Sequence, residues 1–312
     1  GTFGAVYQAV DVRTKKGADE ENPSYVAVKR IFATSSPERI HGELEVLYAL
    51  RSSPNIASII EAIRHEEQVV AVLEYFKHED FRNYYRSMSI DDVKDYMRAL
   101  FTALEKVHAY GYLHRDVKPT NFLYDPKRAT GVLVDFGLAE VWPNLRLKEN
   151  GGDSAFIRTH FFFFFVIESP KAQKANRAGT RGLRAPEVLL KVVHQTSAID
   201  MWSAGVVLLS IWSGSFPFFK SDDDIEALLE IAVIFGKKPI AELAKQCGRS
   251  FETNIPNIGA PKDLLSIIKK MNPRTAAEIP KAGMDLLRSL LTLDPDLRIT
   301  AHEALNHRFL SS

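Results

Sequence analysis

The stretch 110–124, YGYLHRDVKPTNFLY, places a carboxylate, an amine and an amide (Asp116, Lys118 and Asn121) within six positions of an otherwise apolar and aromatic segment. A charged loop between two buried elements contains these residue types by default. The pattern therefore acquires meaning only from what surrounds it.

On the N-terminal side, AVYQAV, YVAVKRI and QVVAVLEY read as strands. Between the second and third lies SSPERIHGELEVLYAL, a predicted helix with Ser36 as N-cap, Pro37 in the first turn and Gly42 as a weak point costing about 1 kcal/mol against alanine. From Ser89 the period changes. Val93, Tyr96, Met97, Leu100, Leu104 and Val107 recur at helical spacing, Ser89 and Asp92 suit a capping box, and Gly111 ends the run. IDMWSAGVVLLSIWSG, at 199–214, is apolar nearly all round, as expected of a central buried helix. The expectation is an α+β protein in two lobes, a small β-rich one over 1–75 and a larger helical one over 76–312.

Bulk properties narrow the function classes. The 312 residues are 46% hydrophobic and 25% charged, with 40 basic against 39 acidic residues, so the net charge of +1 creates no global attraction for nucleic acid or anionic membrane. The single cysteine, Cys247, excludes an internal disulfide and favours a reducing compartment. The longest apolar run, 204–212, is far short of a membrane span. The chain opens on GTFGAVY with neither a methionine nor a targeting segment, and reads as a piece of a longer one. Residues 236–283 mix Pro, Gly and Lys without a sustained period. The five phenylalanines at 161–165 admit three readings: a translated intron end, a buried strand or an exposed docking patch.

Phosphoryl transfer from a nucleotide needs a phosphate cover, a cation, metal-binding groups and a place for the acceptor hydroxyl. Gly1 and Gly4 suit the cover, with Val6 packing on a base, although alone they are more often an ordinary hairpin turn. Lys29 in VAVK supplies a cation on a strand, with Glu43 or Glu45 of the following helix as its partner. Glu43 is preferred because Leu47 lies one turn later on the same face. Asp116 can accept the proton of an attacking hydroxyl, Lys118 can neutralise the moving phosphoryl group, and Asn121 can hold a metal through its amide oxygen. GVLVDFG then ends a β-rich run on Asp135, nineteen residues after Asp116, where a carboxylate can chelate magnesium.

The ordered set of glycine loop, VAVK, HRDVKPTN, DFG and APE resembles the eukaryotic protein kinases, leaving chiefly 156–175 and 236–283 outside the likeness. The resemblance implies ATP and Mg2+ as cofactors. It implies Val6, Ala27 and Leu123 around adenine, Leu73 at the back of the pocket, the backbone of Glu74 and Phe76 on the base, and Asp80 toward the ribose. It further implies an ion pair between Glu187 and Arg298, Asp200 as an anchor beneath the catalytic loop, and an activation segment over 138–187 that carries an insertion, with a second insertion at 236–283. Lys118 followed by Pro119 matches the serine/threonine class, in which the Thr180 hydroxyl would bridge Asp116 and Lys118.

Within the superfamily, the segments 121–140, 175–191 and 198–231 look most like the cell-division-cycle-seven kinases. That likeness implies a nuclear enzyme with a Dbf-type regulatory subunit and the minichromosome-maintenance helicase as substrate, with no direct nucleic-acid or membrane contact. Leu183 stands where that family usually has an aromatic residue. Arg177, Arg181 and Arg184 crowd the segment expected to meet the residue after the phosphoacceptor, which favours serine or threonine followed by an acidic or phosphorylated neighbour. Gly42 beside Glu43 suggests a helix that holds Glu43 away from Lys29 until a partner packs on it. The alternatives are a casein-kinase-like acidophilic enzyme, a catalytically silent kinase-fold scaffold, and a small-molecule phosphotransferase.

Overall fold

The computed structural model describes residues 4–12, 24–32, 35–66, 68–142, 178–256 and 258–311. The phenylalanine run at 161–165 and most of the activation segment lie outside the described residues. Four strands, β1 (Gly4–Val10), β2 (Tyr25–Ile31), β3 (Ile59–His65) and β4 (Gln68–Glu74), form an antiparallel sheet in the order β1-β2-β4-β3. The pleat turns alternate residues to opposite faces. In register across the sheet, Val6, Lys29, Ala71 and Ala62 share one face, as do Ala27, Leu73 and Ile59. Ala71, Leu73 and Ile59 are buried, which identifies this face as the one that meets the core.

Helix α1 (Pro37–Ala49) begins where the sequence says it should, with the Ser36 hydroxyl accepting from the Arg39 amide and Pro37 in the first turn. Glu43, Val46 and Leu47, spaced i, i+3 and i+4, are its buried stripe. Gly42 does not break it. A methyl group there would meet nothing within 4 Å, so the residue neither packs nor turns the chain.

After α2 (Phe81–Tyr84) comes the long helix α3 (Ile90–Ala109), whose capping box between Ser89 and Asp92 is formed in both directions. All six apolar residues of its predicted stripe are buried, each contributing on the order of 2 kcal/mol. Two short strand pairs follow: β5 (Tyr112–Leu113) with β8 (Glu140–Val141), and β6 (Phe122–Asp125) with β7 (Thr130–Leu133). The β6–β7 hairpin joins the lobes. Leu133 exchanges backbone bonds with Asn55 and Ala57, and the Tyr124 carbonyl accepts from the Glu79 amide.

The remainder is helical: α4 (Pro186–Leu189), α5 (Ala198–Ser213), α6 (Asp224–Phe235), α7 (Lys237–Gln246), α8 (Leu264–Met271), α9 (Pro273–Glu278), α10 (Lys281–Leu290), α11 (Ala301–Leu305) and α12 (Arg308–Ser311). Every residue of α5 is buried, in keeping with a surface that is apolar nearly all round. Gly205 lets a neighbour approach there, since a methyl group would lie 2.8 Å from Leu291 and 2.9 Å from Leu290.

The stretch 236–283, which shows no sustained period in sequence, is largely helical. Its helices are six to ten residues long and are cut by Gly236, Pro273 and Pro280, so none is long enough to show a sustained period. Ile240, Leu243, Leu264 and Ile268 nonetheless bury into the large lobe. Among the described residues, no helix is long and apolar enough to cross a membrane.

Because Gly42 is helical and its Cβ position is open, Gly42→Ala should raise the unfolding free energy by about 1 kcal/mol, read as a higher urea midpoint with an unchanged slope.

Candidate active site

Lys29 is a buried charge of the small lobe, 6% exposed, and faces Glu43, which is 4% exposed. Its ammonium group donates to Glu43 Oε1 and, at 2.7 Å, to Asp135 Oδ1. Burial alone would lower the lysine pKa, but the two carboxylates outweigh it and the net shift is upward. Glu45, the other sequence candidate, turns away and lies 3.7 Å from His41. The expected separation of Glu43 from Lys29 is absent: α1 is continuous and the pair is formed. The physical reason is the cost of leaving a buried charge unpaired, about 3–5 kcal/mol, against about 1 kcal/mol for a helical glycine.

Asp135 follows β7 in a left-handed conformation, φ +65°, which is uncommon outside glycine, although aspartate tolerates it better than most. Burial pushes its carboxyl up, while Lys29, His114 and the Gly137 amide bring the net shift down. Phe136 beside it is buried edge-on against the His114 ring at 5.0 Å. Arg39, one turn before Glu43 on α1, donates from Nε to the Gly137 carbonyl at 2.7 Å.

The catalytic-loop segment 114–121 hangs from Asp200 of α5. One Asp200 oxygen accepts from the His114 amide at 2.9 Å and from His108 Nε2 at 3.0 Å, and the other accepts from the Arg115 amide at 2.8 Å. Asp200 is almost fully buried. Burial opposes its ionisation, but His108, His114 and the amides prevail and hold its pKa below the ordinary value.

Directly above, the Asp116 carboxylate is surrounded by donors. Oδ1 accepts from the Thr180 hydroxyl at 2.7 Å and from the Thr180 amide at 2.9 Å. Oδ2 faces Lys118 Nζ at 2.7 Å and Asn121 Nδ2 at 3.0 Å. Lys118 also donates to the Thr180 hydroxyl at 3.0 Å, so that hydroxyl sits between a carboxylate and an ammonium group. Asn121 uses its amide nitrogen on Asp116, which leaves its oxygen as the atom suited to a cation.

The structure brings Glu187 and Arg298 into a buried two-pronged ion pair at 2.7 and 3.1 Å. Arg298 further donates to the Ala198 and Thr292 carbonyls and lies over the Trp202 ring. At the nucleotide end, Val6 is 61% exposed on the face shared with Lys29, and Ala27 lies opposite the buried Leu73. Leu123 stands in β6. Gly4 is required by close approach, because a methyl group there would fall 2.6 Å from the Arg30 carbonyl oxygen. The Glu74 amide donates to the Ser58 carbonyl, and the Phe76 ring packs beneath the Arg128 guanidinium. Gly1 and Arg177 lie outside the described residues.

The expectation for Arg184 needs revision, and Asp80 also has a structural bond. Asp80 caps α2, with Oδ1 accepting from the Arg82 amide at 2.8 Å, so part of its carboxylate serves the helix start. Arg184 is not presented to a substrate. Its guanidinium donates twice to the Gly179 carbonyl and pairs with Asp224 at 2.5 Å, because a half-buried arginine beside that carboxylate is most stable fully bonded. Arg181 stays exposed, with one bond to the Asp222 carbonyl.

Sequence reasoning missed Arg39, His108 and the ion pair between the buried Arg115 and the exposed Glu140. His108 carried a faint signal, lying next to the last apolar position of the α3 stripe. Nothing local marks Arg39 or Glu140 as partners of residues 98 and 25 positions away.

The pH dependence of stability follows in sign. Asp135 and Asp200 have lowered folded pKa values, so their contribution is complete above the unfolded carboxylate value, about 3.9, and is lost as pH falls through the folded one. Asp200→Asn turns a donor toward the loop amides. It should cost about 3 kcal/mol at pH 7 and less in acid, measured as a difference in unfolding free energy that narrows below pH 4.

The protein kinase domain family matches residues 1–310. The chain is 39% identical to the cell cycle serine/threonine-protein kinase hsk1 of Schizosaccharomyces pombe, over 99% of this chain and 70% of that protein. It is 40% identical to the probable cell division control protein 7 homolog 1 of Encephalitozoon cuniculi, over 99% and 89%. It is 25% identical to the cell division cycle 7-related protein kinase of Homo sapiens, over 99% and 88%. A buried lysine tied to two carboxylates, and a hydroxyl held between Asp116 and Lys118, therefore lie in a chain that belongs to the protein kinase family and, within it, to the serine/threonine kinases of the cell-division-cycle-7 type.

Proposed function

We propose that the chain transfers the γ-phosphate of ATP, with magnesium, to serine or threonine in acidic contexts, and that its substrate is the minichromosome-maintenance helicase at replication origins. The observation that carries the chemical part is the Thr180 hydroxyl, which donates to Asp116 and accepts from Lys118. An incoming serine or threonine finds the same proton acceptor and the same cation. Its oxygen attacks the γ-phosphorus, its proton passes to Asp116, and the bridging oxygen departs with ADP. Lys118 offsets charge on the transferred group, and Lys29, held by Glu43, faces the remaining phosphates.

Asn121 and Asp135 fit a magnesium ion in donor chemistry, an amide oxygen and a half-exposed carboxylate. Among the described residues, there is no group of three or more His, Cys, Asp or Glu that could hold a metal ion. Such a sparse set suits an ion that takes its other ligands from water and nucleotide phosphates. When bound, magnesium neutralises and orients those phosphates.

The acidic preference rests on Arg181, exposed beside Thr180, with Arg177 as a second candidate. A Dbf-type subunit is the proposed activator and the nucleus the proposed location, both following from the sequence resemblance.

The test is co-expression of the chain with a Dbf-type subunit and assay on an acidic helicase-tail peptide. Activity should rise on adding the subunit and fall about a thousandfold in Asp116→Asn, and activity surviving that substitution would refute the assignment of the base. A peptide with aspartate or phosphoserine after the acceptor should be used about threefold better than one with lysine, and Arg181→Ala should erase the difference. Equal rates with the wild-type enzyme would end the acidic reading.

A further inference from the structure

We propose that Arg39 is a positioning residue for phosphoryl transfer: its bond to the Gly137 carbonyl lets the placement of α1 set the aim of the Asp135 carboxylate. The inference rests on the reading of Asp135 as a magnesium ligand.

Arg39 and Glu43 lie four positions apart, on one face of α1. Glu43 binds Lys29, Lys29 binds Asp135, and two residues beyond Asp135 the Gly137 carbonyl accepts from Arg39 Nε. These ties close a ring through three segments distant in sequence. The approach is tight: a methyl group on Gly137 would stand 3.3 Å from Glu43 Oε2 and 3.4 Å from Asp135 Oδ1, so the strand-end backbone runs directly beneath the helix.

The ring matters because Asp135 holds an uncommon conformation, φ +65°, of the kind that persists only when its surroundings enforce it. Lys29 secures the carboxylate head through a long side chain with many rotamers. Arg39 secures the backbone beyond it through a charge-assisted hydrogen bond. Two fixed points define the direction of the carboxylate, whereas one leaves it free to swing. A displacement of α1 is then delivered to Lys29 through Glu43 and to the metal-binding segment through Arg39.

The full chain carrying Arg39→Ala, Arg39→Gln or Asp135→Asn would be titrated with ADP in the calorimeter, with and without magnesium. Its kcat and ATP KM would be measured with the activating subunit present. Arg39→Ala should reduce both kcat and the magnesium-dependent gain in ADP affinity about tenfold, with metal-free ADP affinity kept within about twofold. Arg39→Gln, which keeps a shorter N–H donor, should fall between; if Arg39→Ala fails to fold, it carries the measurement. An undiminished magnesium-dependent gain in both arginine variants, or an equal loss with and without magnesium, would overturn the positioning role. A gain that survives in Asp135→Asn would instead overturn the reading of Asp135 itself.

Discussion

One buried ammonium group organises the small lobe and its junction with the large one. Lys29 is taken out of water on the inner face of the sheet, and a charge so placed is tolerable only with partners. Its two partners come from elsewhere, Glu43 from the helix after β2 and Asp135 from the end of β7. Satisfying one lysine therefore fixes the helix against the sheet and brings a segment of the large lobe up to both. The surface proposed to face phosphate is a by-product of that electrostatic requirement.

A second buried charge does the corresponding work below. Asp200 sits in a helix with no solvent-facing side, and its two oxygens take the amides of His114 and Arg115 and the His108 ring. The loop that presents Asp116, Lys118 and Asn121 hangs from the most deeply buried helix of the molecule. Rigidity at the base is what the proton-accepting role proposed for Asp116 needs, since misplacement by about 1 Å costs heavily in rate. Arg298 and Glu187 repeat the device at the end of the activation segment, and Arg184 with Asp224 repeats it nearer the surface. Buried ion pairs contribute little net stability compared with apolar packing, but breaking one is expensive, and that asymmetry suits them to hold geometry.

Much of this was legible in order along the chain. The α3 stripe and its capping box, the start of α1 at Ser36 and the all-round burial of α5 follow from local chemistry and period. The preference for Glu43 over Glu45 also followed from helical phase, because Leu47 and Glu43 must share a face. The helices of 236–283 were not legible, since six to ten residues between breakers hold too few turns for a period to show. Arg184 misled for a different reason. A run of arginines records charge but not which carboxylate lies opposite, and Asp224 is 40 positions away.

The sequence by itself determined the candidate chemical groups and their order, because VAVK, HRDVKPTN and DFG each bring a fixed set of functional groups on a short, locally encoded element. The tertiary structure decided which of those groups spend their bonding capacity on the fold and which face the cleft. It paired Arg184 with Asp224 and Arg115 with Glu140, gave part of Asp80 to a helix start, and set Arg39 on Gly137. Those choices turn on distances between residues far apart in the chain and on the cost of burying an unpaired polar group, neither of which a local pattern encodes.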